Sequence, residues 1–558
     1  MGRVRSGWPA AGIAALAAVA IGLSAPGAGA RAPGGPDGPA ALGARAPRQT
    51  VRLVLDLAGR DPAGLARLVD AGRAVSPAAY ARRFGPRPRE VSTVTRILAG
   101  DGLAAAWVPG SPLLTVAGAV EAVERAFDVR LERRRSPTGA AYLVPAGPWR
   151  LPPGLGRVVT ALVGLDGAPT YHPAGAIWTR VGTDEGSAGP SGLGGFTPDQ
   201  VRGFYNFDPL YAGGLDGQGQ TVVFLEISGY LAGDIAEYSS QFGLPSPDLG
   251  PPVTSPAWGS PEAVGSAGWE PEAEMDLEIV HALAPGARLV VYEAGPTPGD
   301  LLQALQAAIR SYPQAVFSVS LGACEQAEVA RAWSSLFTEL ASSRGTALVS
   351  SGDSGAFICP SAGHAPRPSV SSPADVPDVT AVGGTTAFLG QGDTYGAEAA
   401  WGSPVEQVGS GGGLSSVFPR PSWQDVPGVV GPLSDGMRQV PDVSAIGDAL
   451  TGWDVVAQGR WEVAAGTSAA APLWAALIAL ADEALARRGL PAVGFADRAL
   501  YYLGSVAAKL PARPFHEVVR GDNLYYRAGP GWNFAAGWGS PNASGLVDDF
   551  LLYEKAFG

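Results

Sequence analysis

The sequence predicts an α/β body on a mostly parallel sheet with helices on both faces, preceded by a small α+β domain with an open sheet. Two observations carry this. From about residue 197 onward, short apolar runs alternate with helix-patterned segments, as in parallel strands joined by crossover helices. The 558 residues also exceed what one core fills, and charge divides them. Residues 31–170 hold 19 Lys+Arg against 11 Asp+Glu, a net of +8; residues 171–558 hold 18 against 40, a net of −22.

The chain opens with Arg3 and Arg5, then the apolar run AAGIAALAAVAIGLSA and the small residues Ala28 to Ala30. This is the pattern of an export leader over residues 1–30, removed after secretion. The flank PGAGARAPGGPDGPA is too rich in helix breakers for an anchor, and no later segment is expected to reach the ~20 apolar residues of a membrane span. The product is expected outside the cell, as a monomer with no membrane partner.

Residues 50–167 read as the small domain. TVRLVLDLA alternates like a strand. SPAAYARRFG has a Ser cap and Pro at the first helical position, and REVSTVTRILAGDG is an amphipathic helix ended by glycine. LAAAWVP and PLLTVAG are strands, AVEAVERAFDV is a helix, and VRLERRR with AAYLVP forms a strand pair. The basic balance raises nucleic-acid binding, but the arginines interleave with apolar residues at folding periodicity. The two charged parts are therefore expected to bind each other, with no nucleic-acid partner. Residues 168–196 lack periodicity and are rich in Gly and Pro, which predicts an exposed linker with a processing site.

In the body, residues 197–558, the strands are TVVFLEI, ARLVVYEA, AVFSVSLG, TALVSSG and VTAVGG. Between them lie helices in EAEMDLEIVHALA, DLLQALQAAIRSY and EVARAWSSLFTELASSRG. Ligands of such sheets sit beyond the carboxyl ends of the strands, where Glu226 and Asp353 fall. The two cysteines, Cys324 and Cys359, exclude a disulfide scaffold and a Cys-based zinc site. Each follows a strand that ends at the same sheet edge, so in a secreted protein they are expected to pair.

The chemistry turns on GTSAAAP, residues 466–472. Ser468 sits between a glycine turn and a helix start, as an N-cap or as a nucleophile. A serine nucleophile needs a base. The four histidines, His172, His281, His364 and His516, stand in no context that supplies one. G-x-S-x-G, the esterase elbow, is also missing. Carboxylates are available: Glu272 and Asp276 lie four apart on one helix face, and so do Glu274 and Glu278. The apolar pattern leaves open which pair points inward.

EPEAEMDLEIVHALAPGARLVVYEA, SSGDSG and GTSAAAPLWAALIA occur in the order of the sedolisin family, the serine-carboxyl peptidases, which the chain resembles over nearly its whole length after the leader. YARRFGPRPREVSTVTRILAGDG resembles that family's activation prodomain. The resemblance implies a subtilisin-like fold, and a proenzyme whose prodomain inhibits it intramolecularly and whose substrates are proteins or peptides. It implies Ser468 as nucleophile, Glu272 as base, Asp276 as its supporting acid, Asp353 as oxyanion carboxyl and Glu226 in an outer proton network. A carboxylate base implies action in acid, and the expected activity is that of an endopeptidase, with tripeptidyl cleavage as the alternative within the family. An inactive binding relative is the remaining alternative.

Two departures stand out. Leu321 occupies the place of a family tryptophan. The family's calcium site maps to Glu517, the carbonyls of Val518, Gly529 and Gly531, and Asn533, with Glu and Asn where the family has Asp. Calcium affinity rises with ligand charge, so this loop is either a weakened calcium site or is held by protein hydrogen bonds. No organic cofactor is implied.

Overall fold

The computed structural model describes residues 49–136, 140–173, 194–259, 270–359 and 366–558. The expected leader, residues 174–193 of the expected linker, and His364 lie outside the described residues.

In the N-terminal domain, strands Ala104–Trp107, Leu113–Ala119, Thr50–Leu57 and Val159–Val163 form one antiparallel sheet in that order. Strand alternation splits its side chains between two faces. Leu53, Leu55 and Leu57 pack on Val91, Val94 and Leu98 of helix Pro88–Gly100 and on Val123 and Phe127 of helix Val120–Phe127. Val54, Leu113 and Val163 face the other way, into a cluster with Leu301, Leu302 and Leu305 of helix Pro298–Ser311 and Trp333 of helix Ala327–Ser342. The open sheet thus has its own helices on one face and the body on the other. Each such side chain contributes about 1.5–3 kcal/mol by burial. A helix the sequence reading missed, Pro62–Asp70, is capped by Asp61, whose carboxylate accepts the Gly64 N–H at 2.8 Å.

The body is built on an eight-stranded sheet. Its order is Tyr395–Ala400, Thr380–Leu389, Thr346–Ser350, Val316–Val319, Thr221–Glu226, Arg288–Glu293, Asp248–Leu249, with Val443–Ile446 also pairing with Thr380–Leu389. All pairings are parallel except that of Tyr395–Ala400. Val222 and Phe224 face the core shared with helices Glu270–Leu283 and Thr467–Ala486. Val223 and Leu225 face helices Pro298–Ser311 and Ala327–Ser342. Burial on both faces explains why these strands read as unbroken apolar runs.

Two expectations need correction. Helix Thr467–Ala486 is long and apolar enough to cross a membrane, by length and composition, but its apolar window is 94% buried inside the protein; it is a core helix. The start of the expected exposed linker is exposed at Pro169 and His172 but anchored at Tyr171. Tyr171 is only 2% exposed. Its N–H donates to the Pro296 carbonyl at 3.2 Å, and its hydroxyl accepts the Trp333 Nε1–H at 2.7 Å. His172 and Pro173 pair antiparallel with Gly322 and Leu321. Strand edges are templates for added strands, and Ser320, just before this one, meets Ser468.

Candidate active site

Gly466 precedes the serine helix at φ 109°, a backbone state open to glycine and strained for other residues. Its N–H donates to the Gly447 carbonyl at 2.8 Å. The helix then presents Ser468 in its first turn, fully buried. Pro472, four residues on, has no N–H, so the Ser468 carbonyl has no helical donor. Ser320 Oγ reaches it instead at 3.3 Å, while donating to Asp276 Oδ2 at 2.7 Å. Ser468 Oγ donates to the Ser320 carbonyl at 3.4 Å.

Helix Glu270–Leu283 packs along the serine helix, and all four of its candidate carboxylates are buried. Their partners separate them. Glu274 Oε1 accepts the Leu231 N–H at 2.9 Å and Oε2 the Gln458 N–H at 3.2 Å; Glu278 Oε2 accepts the Val456 N–H at 2.9 Å. The bonds to Val456 and Gln458 tie down the hairpin of Trp453–Ala457 and Arg460–Ala464. On the other side, both oxygens of Glu272 lack a hydrogen-bond partner, as does Oδ1 of Asp276. The Ser468 hydroxyl lies close enough to lower the Glu272 pKa, although in this proenzyme form it donates elsewhere. Catalytic bonds often tighten only when substrate is bound.

Burial pushes the carboxyl of Glu272 well above the ordinary range, and the Asp276 charge adds to this. Burial likewise raises Asp276, against the hydrogen bond from Ser320 and the closeness of Glu226 and Ser318. Glu226, at the end of its strand, is raised by burial, then by Asp276 and Glu272. Three carboxyls in one dry site cannot all ionise, so they hold shared protons. Leu321 brings no polar atom to this network, and Glu226 Oε1 is left without a partner.

Asp353 follows the strand Thr346–Ser350. Its Oδ1 accepts both the Thr467 N–H, at 2.8 Å, and the Thr467 Oγ1–H, at 2.7 Å. Oδ2 is buried without a partner. Burial pushes this carboxyl up to about 7, against those two bonds. Because Oδ1 is already an acceptor, a proton belongs on Oδ2, making it a donor beside the serine turn.

The three described histidines are elsewhere. His281 Nε2 lies 2.8 Å from the Pro245 carbonyl, and burial lowers its pKa. His516 stacks on Tyr395, and His172 sits on the strand beside Gly322. Cys324 and Cys359 are disulfide-bonded, tying the strand Leu321–Cys324 to the loop after Asp353.

The description "Pro-kumamolisin, activation domain" matches residues 40–168, and "Subtilase family" matches residues 263–539. The chain is 33% identical to kumamolisin of Bacillus sp. (strain MN-32) over 78% of each sequence. The chain belongs to the sedolisin family of serine-carboxyl peptidases. It is also 29% identical to sedolisin of Pseudomonas sp. (strain 101), over 88% of this chain and 86% of that protein, and 30% identical to tripeptidyl-peptidase 1 of Bos taurus over 72% of each. Pseudomonas sedolisin, solved with two molecules of pseudo-iodotyrostatin, superposes with a TM-score of 0.55 and 28% identity over 64% of this chain and 98% of that one. This sedolisin-family chain is a serine-type peptidase made as a proenzyme, with a subtilisin-like fold.

The fold brings Ser468, Glu272, Asp276, Asp353 and Glu226 together. It adds three groups that sequence reasoning passed over. Thr467 holds Asp353, Ser320 links Asp276 to the serine turn, and Pro472 frees a carbonyl for Ser320. Each stood inside a motif already singled out, GTSAAAP or SVSLG, without a pattern that signals its role.

The residues matched to the family's calcium site also converge, but not as a cation site. Asn533 Nδ2 lies 3.2 Å from the Val518 carbonyl oxygen, 3.0 Å from that of Gly529 and 3.4 Å from that of Gly531. A donor sits where a cation would, so this donor set does not fit calcium. Among the described residues, no group of three or more His, Cys, Asp or Glu side chains could hold a metal ion.

Proposed function

We propose that the chain is the precursor of an exported endopeptidase that works in acid, with Ser468 as nucleophile and Glu272 as its base. The observation that carries this is the state of the carboxyls around Ser468. Glu272 has both oxygens unpartnered, and Asp353 keeps one oxygen free while Thr467 holds the other.

Ser468 Oγ attacks the peptide carbonyl carbon as Glu272 takes its proton. The carbonyl π pair moves onto oxygen, and protonated Asp353 Oδ2, with N–H groups of the helix start, stabilises that oxyanion. Collapse breaks the C–N bond, and Glu272 returns the proton to the leaving amine. Water then attacks the acyl-serine by the same route, releasing the acid and restoring Ser468. Asp276, held by Ser320, supports Glu272, and Glu226 extends the shared-proton network. The reaction needs Asp353 protonated and Glu272 ionised in the same molecule. Asp353, raised to about 7, sets the alkaline limit of activity, and loss of the ionised form of Glu272, whose pKa burial also raises, sets the acid limit.

The start of the linker after the prodomain supports endopeptidase cleavage. Tyr171, His172 and Pro173 run in extended form toward Ser320 along strand Leu321–Cys324, with a long chain preceding them. A cleft that admits chain upstream of the serine is not closed to internal bonds. Digestion of a denatured protein between pH 3 and pH 8, with products sized by mass spectrometry, tests the reading. Fragments of mixed length, formed only in acid, are expected. Release of tripeptides alone would favour the tripeptidyl reading, and a neutral optimum would overturn the acid mechanism. The leader assignment is tested by sequencing the N-terminus of the exported protein.

A further inference from the structure

The loop that resembles a calcium site is closed by its own amide. Asn533 Oδ1 accepts the Ala535 N–H at 3.2 Å and the Ala536 N–H at 3.0 Å. Those two donors fix which end of the amide is which. Turned over, it would aim its NH2 at two N–H groups and its oxygen at three carbonyls. In the orientation present, Nδ2 meets the carbonyls of Val518, Gly529 and Gly531. The Asn533 backbone is fixed as well: its N–H donates to the Gly537 carbonyl at 3.0 Å, and its carbonyl accepts the Gly537 N–H at 2.8 Å.

Glu517 does not turn toward these carbonyls. Its Oε1 lies 3.7 Å from Arg513 Nη1, and its side chain is 43% exposed. A calcium ion would have to expel the amide, draw Glu517 away from Arg513, and gain one carboxylate in return. Calcium affinity depends on the number of charged oxygen ligands and on a cavity that accepts the ion; this loop is poor in the first and has filled the second.

We infer that Asn533 is a built-in substitute for a cation, which makes the fold and activity of this enzyme independent of calcium. The consequence reaches the active site. The Asn523 carbonyl, within the same loop, accepts the Ala356 N–H at 3.2 Å, three residues past Asp353, and Asn523 Nδ2 donates to the Phe534 carbonyl beside Asn533. The amide therefore helps brace the segment that carries the oxyanion carboxyl. An Asp at 533 would press a carboxylate oxygen against three carbonyl oxygens, an arrangement stable only with a cation between them.

The test is thermal unfolding of the full-length protein in calcium chloride and in chelator, with calcium content measured after dialysis. Wild-type protein should show the same Tm in both and retain no stoichiometric calcium. Asn533→Asp should melt lower in chelator, regain Tm in calcium, and bind calcium saturably by titration calorimetry. Asn533→Ala should lose the same Tm with or without calcium. One tightly held calcium per wild-type chain, a wild-type Tm that rises with calcium, or calcium rescue of Asn533→Ala would overturn the inference, as would an Asn533→Asp protein indifferent to calcium. If Asn533→Asp does not fold at all, the wild-type and Asn533→Ala measurements decide.

Discussion

The two sides of helix Glu270–Leu283 carry the same chemistry at the same spacing and do different work. Glu272 and Asp276 are four apart, as are Glu274 and Glu278, and all four are buried. Burial raises the pKa of every one. A raised pKa therefore does not tell them apart. Partners do: Glu274 spends both oxygens on backbone N–H groups, whereas Glu272 has neither occupied. A buried carboxylate with its hydrogen bonds made is a fastener for backbone donors. One without them, beside a serine, is a reagent held at a cost in stability.

Exchanging one side for the other should break this comparison most sharply. Glu272→Gln removes the proposed base, so kcat should fall by about as much as in Ser468→Ala, on the order of 10⁶, with Tm unchanged or higher. Glu274→Gln should leave kcat within about tenfold. It should instead cost about 1–3 kcal/mol, because one end of the Gln amide then faces an N–H. Peptide turnover in acid and circular-dichroism melts check both. Equal loss of turnover in two folded variants would put the base on the other side of the helix.

Asp353 sharpens the comparison: Thr467 fastens one of its oxygens, and the other, left without a partner, is the proposed reagent. Asn at this position keeps an acceptor for Thr467 and offers an N–H where Oδ2–H stood. Asp353→Ala should lower kcat by ~10²–10³. Asp353→Asn should lose less, and its activity should no longer fall as pH rises through about 7, the value to which burial lifts Asp353. If the two variants lose equally, or Asp353→Asn keeps the alkaline fall, Asp353 does not act by donating a proton-bearing oxygen.

Stability should follow pH in the same sense. Asp353 is lifted from 3.8 to about 7 and Glu274 from 4.5 to about 7, both mainly by burial. The folded state thus binds more protons than the unfolded state between about pH 4 and pH 7. Stability from this source is complete below about pH 4 and is lost as pH rises through about 7. The Ser468→Ala proenzyme should melt higher at pH 4 than at pH 7, and adding Asp353→Asn should shrink the difference. A Tm that rises toward neutrality would show that other groups govern stability.

The frame of the molecule was legible in the sequence because burial on both sheet faces leaves long apolar runs, and because the helices between them keep their period. The motif order added Ser468, Glu272, Asp276 and Asp353. What stayed hidden depends on which atom meets which. Nothing in EAEMDLEI distinguishes the hairpin side from the serine side. TYHP reads as loose linker because what anchors it, Trp333 on Tyr171 and the strand edge at Leu321, lies more than 140 residues away in sequence. Asn533 shows as a lost charge in the sequence, but its gain of two donated N–H bonds needs three carbonyls whose convergence only the fold supplies. Pro62–Asp70 was missed because its helix is short and its capping aspartate stands among other turn-forming residues.

The smallest effect expected concerns how the prodomain is held. Opposite charges, +8 against −22, attract at neutral pH, and acid should weaken that attraction as body carboxylates protonate. The seam itself argues the other way. It is apolar at Val54, Leu113 and Val163, and it buries Asp56 near Ser335 and Glu339 near Tyr80. Burial raises both carboxyls to about 7. Where separation restores them to water their pKa values fall, so the bound state takes up protons. Acid then tightens the seam, and the effect fades as pH rises through about 7. Salt separates the two contributions: near 1 M the screening length is only ~3 Å, which removes the long-range attraction and leaves the buried groups. The test uses Ser468→Ala protein cut within 174–193 by an added protease. In high salt its prodomain should bind about tenfold more weakly at pH 7 than at pH 4, and Asp56→Asn should flatten that difference. In low salt the opposing charges should offset much of it. Weaker binding in acid at high salt would sink the seam account and leave acid release by charge as the better description.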